Sequence, residues 1–176
     1  MSTGATRAGA RLRLATDGDA GRLAVLISEA YRVERHFVEG ERIGPEGVRD
    51  HLSRGVFLVL PGRERSSGEL EACVYLEPRG ELGYLGMLSV APHRQGAGLG
   101  NRLLCAGEEW LAHQGCREIE IYVVDQRTEL FPWYEKRGYR ITGTAPFTDV
   151  DRLLRPCRFA VMRKPVGRSE AGVLEQ

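Results

Sequence analysis

Leu88-Ser-Val-Ala-Pro-His-Arg-Gln-Gly-Ala-Gly-Leu-Gly-Asn-Arg-Leu-Leu104 is the stretch on which the fold turns. A strand ends at Val90, and Pro92, which has no N–H to give to a ladder, blocks its continuation. Gln95-Gly-Ala-Gly-Leu-Gly100 then leads directly into a helix whose apolar residues Leu99, Leu103, Ala106, Trp110 and Leu111 share one face. The first N–H groups of a helix have no intrahelical partner, and the aligned peptide dipoles add roughly half a positive charge there. Glycines let such a backbone curl and approach a ligand closely. The product is a phosphate cradle that needs no lysine. Gly96, Gly98 and Gly100 do not have the G-x-G-x-x-G spacing of a dinucleotide fold, and this turn follows the third of three successive strands. A P-loop is excluded too, because no Gly-Lys-Ser/Thr ending is present.

Working outward, the period of two at Leu12 and Leu14 gives a first strand. Thr16 or Asp17 caps a helix that keeps Leu23, Leu26, Ile27, Ala30 and Tyr31 on one side. Pro45 opens a second, short helix carrying Val48 and Leu52, which Gly55 stops. The apolar run 56–60 and the alternating segment 70–77 pair as a hairpin across a polar turn at 61–69. In that segment Leu70, Ala72, Val74 and Leu76 predict one buried face, and Glu71, Cys73, Tyr75 and Glu77 an exposed one. Residues 84–90 form the next strand, and the helix after the glycine turn ends at Gly115. A strand with Ile119, Ile121 and Val123 follows, then a short helix over 131–137, then closing strands at 140–144 and 158–163. The order β α α β β β α β α β β predicts an α/β (α+β) domain with a mixed sheet of about six to seven strands flanked by helices. That domain is expected over 10–165, between loose tails at 1–9 and 166–176.

A chain of 176 residues suits one domain, and with 42% hydrophobic and 28% charged residues it can bury a core. The 25 basic and 24 acidic side chains leave a net charge of +1, so no nucleic-acid partner is expected. Cys73, Cys105, Cys116 and Cys157 form no C-x-x-C pair, so neither a zinc site nor any other metal is expected. They read as structural thiols, with Cys73 and Cys105 acting as small hydrophobes. The small, polar first residues predict neither a signal peptide nor a spanning helix, hence a cytoplasmic protein with no membrane partner.

The glycine turn, with Gln95, Gly98 and Gly100 as Gln/Arg-x-x-Gly-x-Gly/Ala, resembles the coenzyme A motif of the GCN5-related N-acetyltransferase (GNAT) family. Leu130-Phe-Pro-Trp-Tyr-Glu-Lys-Arg-Gly-Tyr139 is similar to that family's second coenzyme A segment. The resemblance covers roughly 11–164 and implies acetyl-CoA as cosubstrate. It implies that backbone amides of Gln95, Gly96, Ala97, Gly98, Leu99, Gly100 and Asn101 hold the pyrophosphate. The strand residues Leu88, Ser89 and Val90 would lie along the pantetheine arm, with the backbone of Leu88 and Val90 pairing to it. Any bulge near Leu88 would splay the sheet and admit that arm. Tyr134 corresponds to the family's tyrosine beside the sulfur, which commonly serves as general acid. Many members carry an asparagine seven residues earlier, where this chain has Arg127.

An amine of pKa near 10.4 costs about 4–5 kcal/mol to deprotonate at pH 7. In some family members a strand glutamate serves as base, but Tyr84 occupies its place here, which leaves Glu34, Glu77, His93 and Asp125 as candidates. In Tyr31-Arg-Val-Glu-Arg-His-Phe-Val-Glu-Gly-Glu-Arg42, charges of both signs interleave. Tyr31, Glu34 and Arg35 are the expected acceptor contacts, and a small zwitterionic or amphipathic amine is the expected acceptor, ahead of a lysine-rich tail. A protein amine, a non-catalytic acyl-CoA sensor and a module for another phosphate ligand are the competing readings. Association as a homodimer stays open.

Overall fold

The structure, a computed structural model, describes residues 11–62, 68–148 and 150–167. The predicted tail 1–9 lies outside the described residues, as does the predicted tail 166–176 beyond residue 167. The elements run β1 (Arg13–Leu14), α1 (Ala20–Ala30), α2 (Pro45–Leu52), β2 (Val56–Pro61), β3 (Leu70–Arg79), β4 (Leu82–Val90), α3 (Leu99–His113), β5 (Glu118–Val124), α4 (Leu130–Glu135), β6 (Arg140–Pro146) and β7 (Arg158–Pro165). The order is the one the sequence predicts. Seven strands form one sheet, β1-β2-β3-β4-β5-β7-β6. Its only parallel pair among the described strands is β4 with β5, because α3 carries the chain across the sheet between them.

Strand β3 departs from the half-buried reading, since Leu70 through Leu76 are buried on both faces. Ala72, Val74 and Leu76 face a core with Leu103, Leu104 and Leu111 of α3, together with Tyr134 and Tyr139. Cys73 and Tyr75 face the other way, into a core with Leu23 and Ile27 of α1 and Val48 of α2. A central strand sandwiched by helices has no solvent side, and burying each large side chain contributes about 1.5–3 kcal/mol. Glu71 tolerates burial by facing Arg94 at 3.1 Å. Cys105 also departs from expectation. It lies on the exposed side of α3, while Leu104 and Gly107 complete the buried face. All four cysteines are free thiols.

The start of α1 differs slightly from the sequence reading. A 3-10 turn at Asp17–Asp19 precedes it, and Asp19 is fixed by Arg13 at 2.8 Å and Arg22 at 2.6 Å. Those hydrogen bonds, with that from the Thr16 N–H at 2.8 Å, hold the Asp19 carboxyl well below the usual range. After α1 a 3-10 segment, Tyr31–His36, carries the chain over the end of the sheet. A small third core of Phe37, Val38, Val124, Phe147, Cys157 and Phe159 fastens it there. The Leu154 N–H donates to the Phe37 carbonyl at 2.9 Å, and Glu39 donates to Arg152 at 2.8 Å. None of this long-range fastening has a local sequence signal.

Candidate active site

The cleft begins where the sheet stops being continuous. Strands β4 and β5 pair only over Leu82–Tyr84 and Glu118–Glu120, and their C-terminal halves have no ladder between them. On the other side, β4 keeps its pairing to β3 through a bulge. Cys73 opposes Ser89 and Tyr75 opposes Gly86, so Met87 and Leu88 share the space opposite Val74. Met87 has φ +49°, the one non-glycine with positive φ among the described residues. The strand is therefore bulged beside Leu88, a feature that no residue of the sequence announces.

The opening is a cavity of about 520 Å³. One wall holds Leu88 and Val90 of β4, with Val123 and Val124 of β5 across from them. Ser89, alternating with these two, is buried on the opposite side and donates to the Met87 carbonyl at 3.0 Å. The Gln95 side chain donates to the Val90 carbonyl at 3.3 Å.

The floor at one end is the glycine turn. Gly96 and Gly98 have φ of +80° and +75°, the left-handed region, and a Cβ added to either meets nothing within 4 Å. Gly98 is the residue ahead of α3, and no side chain caps that end. The first helical bond runs from the Arg102 N–H to the Gly98 carbonyl at 3.1 Å. Leu99, Gly100 and Asn101, whose N–H groups precede that bond and have no partner within the helix, line the cavity. Ala97 does not line the cavity. Arg137 stands beside the cradle, 3.7 Å over the Trp133 ring, donating to Asn101 Oδ1 and to the Trp133 carbonyl at 2.7 Å each. Open left-handed backbone, an uncapped helix start and a neighbouring guanidinium fit a pyrophosphate, and the apolar walls fit a flexible arm.

Tyr134 lies deeper, packed edge-on to Trp133 and Tyr139 at 4.8 and 5.6 Å. Burial pushes its phenol up to about 12, against the pull of Arg127. The far end of the cavity is ionic. Glu34 is buried there, 3.3 Å from Arg127 Nη1, and burial raises its carboxyl despite Arg42 and Arg127. Arg127 also binds Glu129 at 2.6 Å. Tyr31 lines the same end with Arg42, whose guanidinium is 5.2 Å from its ring centroid. Arg35 is exposed and outside the lining, so Arg42 is the arginine this segment presents to the cavity. The reason is helical phase, since the 3-10 turn points Glu34 inward and its neighbour Arg35 outward. Of the four candidate bases, only Glu34 lines the cavity. Glu77 is engaged by Tyr75 and Arg79 at 2.9 Å each, and His93 and Asp125 are exposed elsewhere.

The sequence matches the acetyltransferase (GNAT) family over residues 24–139, about two thirds of the chain. The chain belongs to the GNAT acetyltransferase family. A GNAT acetyltransferase of this kind is an acetyl-CoA-dependent acyltransferase, which sets aside the sensor and the other phosphate-binding module. Solved structures show the same fold. The ribosomal-protein-S18-alanine N-acetyltransferase of Escherichia coli superposes with TM-score 0.70 at 17% identity, over 94% of this chain and 98% of that one. The PaiA N-acetyltransferase of Thermoplasma acidophilum, solved with coenzyme A, gives TM-score 0.70 at 17% identity, over 89% and 98%. The N-acetylglutamate synthase of Neisseria gonorrhoeae, with coenzyme A and N-acetyl-glutamate, gives 0.64 at 22%, over 92% of this chain and 36% of that one. No curated protein matches the chain significantly in sequence. Among the described residues of this GNAT acetyltransferase no helix is long and apolar enough to cross a membrane, and no cluster of His, Cys, Asp and Glu could hold a metal. Among the cavity residues that sequence reasoning missed are Arg42, Arg94, Trp133 and Arg137, of which the last two carried a hint, inside the Trp-Tyr-Glu-Lys-Arg motif.

Proposed function

We propose that this GNAT protein acetylates the primary amine of a small molecule by direct transfer from acetyl-CoA. The observation that carries the reading is that Glu34 and Tyr134 line one cavity with the uncapped start of α3. The thioester supplies an activated acetyl group and a thiol leaving group. Leu99, Gly100 and Asn101 would bind its phosphates through their N–H groups, while Leu88, Val90 and Leu130 exclude water along the arm. Glu34 Oε is the acceptor for the proton of the incoming ammonium. Its raised affinity for a proton narrows the gap to an amine and makes it a better base than an ordinary glutamate. Tyr134 stays protonated throughout the working range and directs its hydroxyl hydrogen at the leaving sulfur. Because a phenol near 12 is a weaker acid than a thiol near 8.5, this donation is chiefly a hydrogen bond that strengthens as charge develops on sulfur. The proposed sites are therefore Tyr134 as hydrogen-bond donor to the leaving sulfur, Glu34 as base and the 88–101 segment for the coenzyme.

A cavity whose far end sets two carboxylates, Glu34 and Glu129, against two arginines, Arg42 and Arg127, suits a small acceptor carrying both charges better than a polycationic tail, which calls for an excess of acids. A coenzyme-release assay over small primary amines and lysine-rich peptides tests this. Turnover of the small amines at higher kcat/KM is expected, and turnover of the peptides alone would refute it.

A further inference from the structure

Four arginines line the cavity: Arg42, Arg94, Arg127 and Arg137. Three of them face protein acceptors. Arg94 Nε lies 3.1 Å from Glu71, although off the line of a good hydrogen bond. Arg127 is held between Glu34 and Glu129, and Arg137 between Asn101 and the Trp133 carbonyl. Arg42 differs, because it has neither a hydrogen bond nor an ion pair among the described residues, and its Nε is buried without a partner. The Tyr31 ring steadies the guanidinium but accepts none of its five N–H donors in the plane of the fork. Leaving such a donor buried and unanswered is costly, and Glu34, the nearby carboxylate, is already bonded to Arg127. A planar anion answers a guanidinium edge with two parallel hydrogen bonds, which a single water cannot do.

We propose that Arg42 is the receptor for a carboxylate on the acceptor, so that the amine acetylated at this site belongs to a small amino-acid-like molecule. The proposal rests on the small-amine reading above and sharpens it. The two ends of such a zwitterion meet opposite charges in one wall, the ammonium at Glu34 and the carboxylate at Arg42. A simple alkylamine leaves Arg42 unanswered.

The test compares matched pairs, each amino acid against its carboxamide, across a panel of side chains. Two readouts are taken, kcat/KM by coenzyme release and equilibrium binding to the protein loaded with coenzyme A. The wild type is expected to prefer the carboxylate by about 10- to 100-fold, mostly through KM, as for a charge-assisted hydrogen-bonded pair. Arg42→Gln should bring that preference to within about threefold, whereas Arg42→Lys, which keeps the charge and loses the fork, should retain part of it. Acetyl-CoA affinity by calorimetry reports that the variants are folded. Equal use of acid and amide by the wild type, or a preference that survives in Arg42→Gln, overturns the role of Arg42 and leaves small-amine transfer standing. Acetylation of peptides with no member of any pair turned over overturns the small-amine reading as well, so the two failures are distinguishable.

Discussion

The two ends of the cleft are built from different materials. The end proposed for the coenzyme is backbone: Gly96 and Gly98 in left-handed conformation, the bare start of α3, and a bulged strand with Met87 at φ +49°. The end proposed for the acceptor is side chain: Glu34, Arg42 and Arg127 from segments up to 93 residues apart, in a small ionic cluster beside Tyr31. A backbone site binds a group common to many substrates and tolerates change in its side chains. A side-chain site selects, because each group can be exchanged without disturbing the fold. Solved structures under 25% identical share this architecture, among them a ribosomal-protein-S18-alanine N-acetyltransferase and an N-acetylglutamate synthase.

Breaking the backbone end should have the largest effect. Gly98→Val forces a β-branched residue into φ +75° and fills space that the protein itself leaves open. Acetyl-CoA affinity, measured by calorimetry, should fall at least about 100-fold in a protein that still folds, since the lost contacts are several charge-assisted hydrogen bonds. Unchanged affinity would show that the cradle lies elsewhere.

Tyr134 sits between the two ends. Tyr134→Phe keeps the ring packed against Trp133 and Tyr139, so coenzyme affinity should hold while kcat drops about 100-fold, within the range for losing a proton donor. A wild-type kcat, measured where chemistry limits the rate, would make Tyr134 a packing residue only.

The smallest effect belongs to the ionic end, and it is a shift in a pH profile. Burial raises the Glu34 carboxyl, and Arg127 holds it down. A base works when deprotonated, so kcat/KM should rise with pH along an acidic limb set by Glu34, above the usual glutamate value of about 4.3. Arg127→Gln removes the opposing charge, so the limb should move to higher pH, while acetyl-CoA affinity should change little. A limb that stays in place, or moves to lower pH, would mean that Glu34 is not the titrating base.

The same division governs how far sequence reasoning reached. The strand–turn–helix around Gln95 is legible because glycine, proline and helical period act over a few residues, and the order of elements follows from the same local rules. Strand β3 was misread as half-exposed, since alternation with Glu71 and Glu77 cannot tell a solvent face from one covered by α1. Arg35 was favoured over Arg42 for a related reason. Sequence shows both arginines in one stretch, but the turn of the 3-10 segment and its anchoring through Phe37 and Val38 decide which reaches the cavity.

By itself, then, the sequence determined the fold class and the glycine turn into α3, because those depend on backbone conformations that neighbouring residues dictate. Tertiary structure alone decided which of four candidate bases shares a cavity with Tyr134, and which arginine is left there without a partner. Those outcomes depend on where α1, β5 and the β6–β7 connection come together, and desolvation and ion pairing act through space, with no regard to separation along the chain.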